Sequence, residues 1–516
     1  MARRAVALIA VATSMVGTVV LIAPPAGAAT PSPALADVVS DYDGDGLSDV
    51  AASAVGRDVA GQQNVGLVAV GYTTTNAVAA LAPGQNGLVG APTLNQAFGS
   101  ALATGDFNGD GYDDLAIGAP GDGVGDVAAR GSVTVVYGSS SGLDPASSDY
   151  IYAATPGIPG EPTPDTRFGS ALAAGDFNND GNDDLAIGAI GVNVLNHPNA
   201  GTVTVIRGTP TGITGAGAVR LQQGLGGIPG GPENGDRFGE TLAAGDVNGD
   251  QFVDLLVAAP GEAIAPSTTT DDGYIALLRG SAQGITGAGS QSVNGPSGSH
   301  ELLGASLATG DVNGDGFADV VAGAPQSGTG ANNSTGRVVV LRGASAGMSA
   351  ARATSFQMGT GGVPGPAAPN LEFGRDVSLG DVTGDGRDEL LASAPGRAGG
   401  GANQVGALVV LPGSASGTTT AGAQLVTQDS AGVSGTAETG DRFGTAIARD
   451  ANGDGRAEVV VAAPGETVDG ARAAGVVTAL AGTPSGARGV GVPESTLGTL
   501  GLGSPADVDQ FGRTLA

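Results

Sequence analysis

The sequence contains no cysteine and no lysine. Without cysteine there is no disulfide, no thiolate metal site, no cysteine nucleophile and no cysteine-linked lipid anchor. All 21 basic residues are arginine, against 50 acids, and the formal charge is −29. Such a surface repels nucleic acid and anionic lipid, so neither is an expected partner. It suits solubility or the binding of cations. With only His197 and His300 and no thiolates, zinc centres are excluded. Aromatics make up 3% of the chain, whereas glycine (94) and proline (29) are abundant, which argues against a helical protein. Yet 41% of residues are hydrophobic and fall in short runs, unlike a disordered glycine-rich chain. The pattern predicts many short strands joined by turns.

The N-terminus reads as an export signal. Arg3 and Arg4 precede an apolar run over 5–23, and Ala26-Gly27-Ala28 fits a cleavage site. Residues 1–28 are therefore expected to be a signal peptide, 29–36 a linker and 37–516 the folded part. Loss of Arg3 and Arg4 moves the formal charge from −29 to −31. No other stretch reaches the roughly 20 apolar residues that span a bilayer. The expectation is a secreted, soluble monomer.

A nine-residue acidic stretch occurs seven times: DYDGDGLSD at 41, DFNGDGYDD at 106, DFNNDGNDD at 176, DVNGDQFVD at 246, DVNGDGFAD at 311, DVTGDGRDE at 381 and DANGDGRAE at 450. The spacings run from 65 to 70 residues. Ahead of most copies stands a Phe-Gly segment, such as FGSALATGD at 98; the unit at 303 has Leu303-Gly304 instead. Behind each comes an apolar run such as LAIGAP at 115, then a glycine-led run such as GSVTVVYG at 131, then a weaker polar strand. Four strands per unit make one sheet. Seven sheets around an axis make an all-β, seven-bladed β-propeller with four antiparallel strands per blade. The last residues, FGRTLA at 511–516, match the start of a further unit, and the loop at Asp41 lacks a Phe-Gly segment of its own. The C-terminal strand is therefore expected to close the ring by completing the first blade.

The acidic stretch predicts a cation loop. Positions 1, 3, 5 and 9 carry oxygen side chains in all seven copies. They are Asp41, Asp43, Asp45 and Asp49; Asp106, Asn108, Asp110 and Asp114; Asp176, Asn178, Asp180 and Asp184; and Asp246, Asn248, Asp250 and Asp254. The remaining three sets are Asp311, Asn313, Asp315 and Asp319; Asp381, Thr383, Asp385 and Glu389; and Asp450, Asn452, Asp454 and Glu458. Position 7 varies freely (Leu47, Tyr112, Asn182, Phe252, Phe317, Arg387, Arg456), so it offers only its backbone carbonyl. Four side chains and a carbonyl make an oxygen cage suited to Ca²⁺ rather than Mg²⁺, with up to seven structural ions. An EF-hand would need a glutamate at position 12, but Ile117 and Ile187 stand there in the second and third copies. Together positions 1, 3, 5 and 9 gather 22 carboxylates, whose mutual repulsion a cation would relieve. Gln251 at position 6 and Thr383 at position 3 mark the fourth and sixth loops as the weakest expected sites.

The unit FG…L(A)xGD(F/V)NGDGxxDLxxGAP resembles the FG-GAP repeat of integrin α-subunit propellers and related bacterial secreted proteins. The resemblance implies Ca²⁺ in hairpin loops on one face, an extracellular setting and, as in integrins, ligand recognition and adhesion. The expected partner is an extracellular protein or carbohydrate. A hydrolase or polysaccharide lyase on the same ring and a structural cell-surface or matrix protein are the alternatives. G-x-S-x-G occurs at 138 and 343, but the same turn in other units has Pro or Ala in place of Ser140 or Ser345, so no catalytic residue is assigned. Variable glycine- and proline-rich inserts ahead of Phe168, Phe238, Phe373 and Phe443 enter each unit at one point and are expected to share a face.

Overall fold

The computed structural model describes residues 40–516, apart from 76, 124–127, 161–162, 265–270, 297–298, 329–332 and 492. The expected signal peptide and linker lie outside the described residues. Among the described residues, no helix is long and apolar enough to cross a membrane.

The strands form seven four-stranded sheets, each antiparallel throughout. The second blade gives the pattern. Its innermost strand, Ala101–Gly105, pairs with Asp114–Ala119, which pairs with Ser132–Tyr137, which pairs with the outermost strand, Asp144–Ile151. Each innermost strand also packs against the innermost strand of the next blade, so the seven line a common axis. Both faces of a blade are covered by its neighbours. Second strands such as Asp114–Ala119 and Asp254–Ala259 are consequently buried at every residue and read as continuous apolar runs. Exposed residues return mainly in outer strands such as Asp144–Ile151.

The phenylalanine of the Phe-Gly segment explains how a chain poor in aromatics fills its core. Phe98, Phe168, Phe238, Phe373, Phe443 and Phe511 are all at most 2% exposed, and Leu303 takes the same place in the fifth blade. Phe238, for example, packs among Val203, Val205, Leu255, Val257 and Tyr274, which come from two adjacent sheets. Its backbone is used as well. In every blade the residue at this place donates its N–H to a carbonyl of the preceding blade, as Phe168 does to Arg130 at 3.1 Å. The approach is close enough that a Cβ on Gly131 would lie 2.1 Å from the Phe168 carbonyl oxygen. Glycine is required there by the neighbouring backbone.

The first blade is assembled from both ends of the folded chain. Phe511–Leu515 is its innermost strand, paired antiparallel with Val50–Ala54, with a register shift between Ala52 and Ala54. Ala51 and Ala516 exchange backbone hydrogen bonds of 2.8 and 3.0 Å. Phe511 packs between Val460, Ala462 and Val477 of the seventh blade and Ala52, Ala54 and Ala69 of the first. The closing strand is thus held like any other innermost strand. Phe511→Ala is expected to cost about 3–5 kcal/mol in a denaturant titration. Deletion of 511–516 should lower the melting temperature further, because it also leaves the edge of Val50–Ala54 unpaired; an unchanged melting temperature would refute closure.

Candidate metal centres

In six blades the nine-residue loop joins the innermost strand to the second, and in the first it leads into the second strand, Val50–Ala54, at the same end of the blade, so all seven open on one face of the ring. Each turn wraps its backbone around its own acids. In the second loop, Asp106 Oδ2 accepts the N–H of Gly111 at 2.9 Å, Asn108 Oδ1 that of Asp110 at 2.9 Å, and Asp110 Oδ1 that of Tyr112 at 3.0 Å. The bond from position 6 to position 1 recurs in every loop. So does the bond from position 7 to position 5. This turn needs a left-handed residue at position 6. Six loops use glycine there with φ between 80° and 89°, whereas Gln251 adopts φ 75°. A Cβ at Gly111 or Gly316 would meet nothing within 4 Å, so the demand is one of backbone torsion alone.

Position 9 does more than its spacing suggested. Asp49, Asp114, Asp184, Asp254, Asp319, Glu389 and Glu458 are all at most 2% exposed. Asp114 Oδ2 takes the N–H of Phe107 at 2.9 Å, and Oδ1 takes that of Gly138, at the end of the third strand, at 2.8 Å. Glu389, with its longer arm, takes the N–H of Thr383, one position further along the loop, at 2.9 Å and that of Gly413 at 3.3 Å. The residue therefore ties the loop to the neighbouring hairpin turn. It also accounts for the G-x-S-x-G turns: Gly138 is a donor to Asp114, while Ser140 lies exposed at the tip. Burial pushes Asp49 and Asp114 up to about 8, Asp254, Glu389 and Glu458 to about 7, and Asp184 and Asp319 to about 6. The other loop carboxylates add to the rise.

Position 7 also has a role that the sequence reading lacked. Where position 4 of the preceding loop is glycine, the position-7 side chain covers it; the third loop has Asn179 there. A Cβ on Gly44 would meet the Tyr112 ring, one on Gly249 the Phe317 ring, and one on Gly453 the Leu47 side chain, which closes the circle. In the sixth and seventh loops the position-7 arginines also reach position 5, Arg387 to Asp385 at 3.1 Å and Arg456 to Asp454 at 3.3 Å. In those loops a guanidinium competes for an oxygen assigned to a cation.

The donor set suits a hard divalent cation. In the first loop, oxygens of Asp41, Asp43 and Asp49 lie within 4.8 Å of one another. That is the span of a coordination shell with metal–oxygen distances of about 2.3–2.6 Å. The carboxylates at positions 1 and 9 accept backbone bonds yet keep free lone pairs, since each has about four acceptor sites. The histidines do not join these loops or each other. His197 Nδ1 lies 3.2 Å from Asn234 Oδ1, and the His300 backbone N–H donates to Asp272.

The FG-GAP repeat model matches residues 98–136, 168–206, 238–278, 303–341, 373–411 and 444–480. This chain is an FG-GAP repeat propeller, similar to those of integrin α chains. Human phosphatidylinositol-glycan-specific phospholipase D is 34% identical to the propeller over 183 residues, 35% of this chain and 20% of that protein. Integrin alpha-PS5 of Drosophila melanogaster is 35% identical over 161 residues, 31% of this chain and 15% of that one. The propeller thus spans about a fifth or less of the curated relatives it matches. Among solved structures, a Lactobacillus plantarum protein matches with 13% identity and a TM-score of 0.42, covering 90% of this chain and 97% of that one. The first blade's loop at Asp41 and the closing strand at Phe511 lie outside the six matched repeats, and the first blade is defined by the structure.

Two predictions follow from the propeller's loops. Gln251→Gly should raise stability by about 1 kcal/mol, read as a shift in the unfolding midpoint, because it removes the left-handed strain of a residue with a Cβ. In chelator, the position-9 acids hold protons in the folded state that the unfolded chain releases above about pH 4. Their contribution to stability is therefore fullest below about pH 4 and is lost as pH rises toward 8. The chelated protein should melt at a lower temperature at pH 8 than at pH 5.

Proposed function

We propose that this propeller is a secreted module that binds Ca²⁺ in its hairpin loops and recognises an extracellular protein or carbohydrate. The observation that carries the reading is the placement of seven oxygen-rich loops on one rim and of the variable inserts on the other. Every insert runs from an outermost strand to the start of the next innermost strand, so the inserts sit at the end of the blades away from the loops. A rigid ring that displays variable loops on one side is a common recognition design. On that side Arg513 lies within electrostatic reach of Arg375 and Arg442, with the acid Asp376 beside it, a local gathering of arginines in a chain of formal charge −29. It favours a ligand with acidic groups.

In each loop the side chains at positions 1, 3, 5 and 9 and the carbonyl at position 7 would hold the ion. Bound Ca²⁺ would neutralise carboxylates that now face one another and would fix the hairpin without disulfides. The fourth and sixth loops are proposed as the weakest, on the strain at Gln251 and on the Thr383 hydroxyl and the Arg387–Asp385 pair. The integrin resemblance implies an extracellular setting. The relationship to a phospholipase D keeps a hydrolase or lyase as the rival reading, although His197 and His300 hydrogen-bond to different partners in separate loops.

The test is co-sedimentation of the mature protein with insoluble polysaccharides and cell-wall material, in Ca²⁺ and in chelator. Binding in Ca²⁺ that is lost in chelator and weakened by Arg375→Ala is expected. No binding to any of these materials, together with release of soluble products from one of them, would favour the enzyme.

A further inference from the structure

On the rim opposite the hairpin loops, one blade junction gathers acids that form no ion pair among the described residues. Glu438 and Asp441 lie in the insert ahead of Phe443, and Glu466 follows the second strand of the same blade, Glu458–Ala463. Gln428 follows the outermost strand of the preceding blade, Gln424–Val426. One oxygen from each of the three acids lies within 4.8 Å of the other two. Asp441 is 1% exposed, Gln428 4% and Glu466 8%. The Gln428 amide is aimed into the cluster: Nε2 donates to Glu466 Oε2 at 2.7 Å, while Oε1 is buried without a hydrogen-bond partner. Glu494, half-buried, adds a fourth carboxyl within electrostatic reach of Asp441 and Glu466.

Comparison of the junctions within the ring sharpens the point. At the junction closed by Phe511, the place of Glu466 is taken by Arg57, which pairs with Asp509 at 3.1 Å. In the second blade the acid corresponding to Glu466 is Asp122, and it receives the hydroxyls of Ser132 and Tyr150 at 2.6 and 2.5 Å. Those corners supply their acids with a cation or with O–H donors. Among the described residues, no arginine forms an ion pair with Glu438, Asp441 or Glu466. The same four residue types recur at a second junction as Gln223, Glu233, Asp236 and Glu262. There Gln223 Nε2 donates to Glu262 at 2.7 Å, and Gln223 Oε1 and Asp236 Oδ1 lack partners.

We propose that Gln428, Glu438, Asp441 and Glu466 form a second class of divalent-cation site, separate from the hairpin loops, that staples two adjacent blades. Its ligands are all oxygens, with three carboxylates, which selects a hard ion of the Ca²⁺ class over zinc or copper. Such an ion would answer both the mutual repulsion of the acids and the orphaned Gln428 oxygen, which is otherwise a buried unsatisfied acceptor. A proton shared among the acids is the competing answer.

Crystals of the full chain grown with Tb³⁺ in place of Ca²⁺ decide between them. An anomalous peak bounded by Asp441, Glu466 and Glu438 is expected; its absence overturns the proposal in favour of a shared proton. In parallel, metal analysis of Glu466→Gln after equilibration with Ca²⁺ should show one bound ion fewer than the unsubstituted protein, and equal counts would overturn the site. If Glu466→Gln does not fold, Glu466→Arg, which copies the Arg57–Asp509 corner, serves the same count. A filled cluster beside empty hairpin loops would support this site while refuting the loop reading, so the two fail separately.

Discussion

In every hairpin loop the amide at position 8 donates to the carbonyl at position 1 of the loop before it. The bonds run from Asp113 to Asp41, Asp183 to Asp106, Val253 to Asp176, Ala318 to Asp246, Asp388 to Asp311 and Ala457 to Asp381, and Ser48 to Asp450 completes the circle. Each loop is thereby registered on its neighbour by backbone alone, whatever its side chains. The opposite rim has its own circle, in which each Phe-Gly segment donates to the preceding blade. Everything between the two circles, including the small residues of the inner strands and the buried phenylalanines, follows from holding seven sheets at fixed spacing. A buried amide must find an acceptor, so the register is specific even where the packing is mostly Ala, Val and Gly.

This constraint explains the chemistry of the loop rim. Some position-8 acids reinforce the circle: Asp113 Oδ2 accepts the N–H of Asp41 at 2.9 Å, Asp183 that of Asp106 at 3.0 Å and Asp388 that of Asp311 at 2.8 Å. Position 9 anchors the loop to the third-strand turn. Carboxylates therefore serve as backbone acceptors as well as candidate ligands, and burial pushes Asp183 and Asp254 up to about 7. An acidic rim of this kind depends on whatever neutralises it, whether proton or metal.

The blade count, the four strands, the ring closure through residues 511–516 and the oxygen positions of the loops were all legible in the sequence, because a repeated pattern turns single weak signals into one strong one. What was not legible came from neighbours in space. Leu47 and Tyr112 look interchangeable when aligned by position, since their shared job is to cover a glycine in another blade. The double role of Asp114 requires Gly138 to be close, and nothing in the spacing between them says so. The Glu438–Asp441–Glu466 corner escaped because its members come from separate segments and only one other junction repeats them. Positions that vary between units carry the information that a repeat-based reading averages away.

The closing strand has a kinetic consequence. Thr514 N–H donates to Ser53 Oγ across a separation of 461 residues. The first blade is therefore the last to be completed during synthesis, although its other three strands emerge first. Until then, Val50–Ala54 carries an open edge that can pair with another chain. The entropy of closing so long a loop grows only with the logarithm of its length, so the finished ring loses little equilibrium stability by this design. Its cost lies in time. A half-made ring has the most contacts left to form at the point where it is least protected, and folding yield rather than final stability is the quantity that this topology limits.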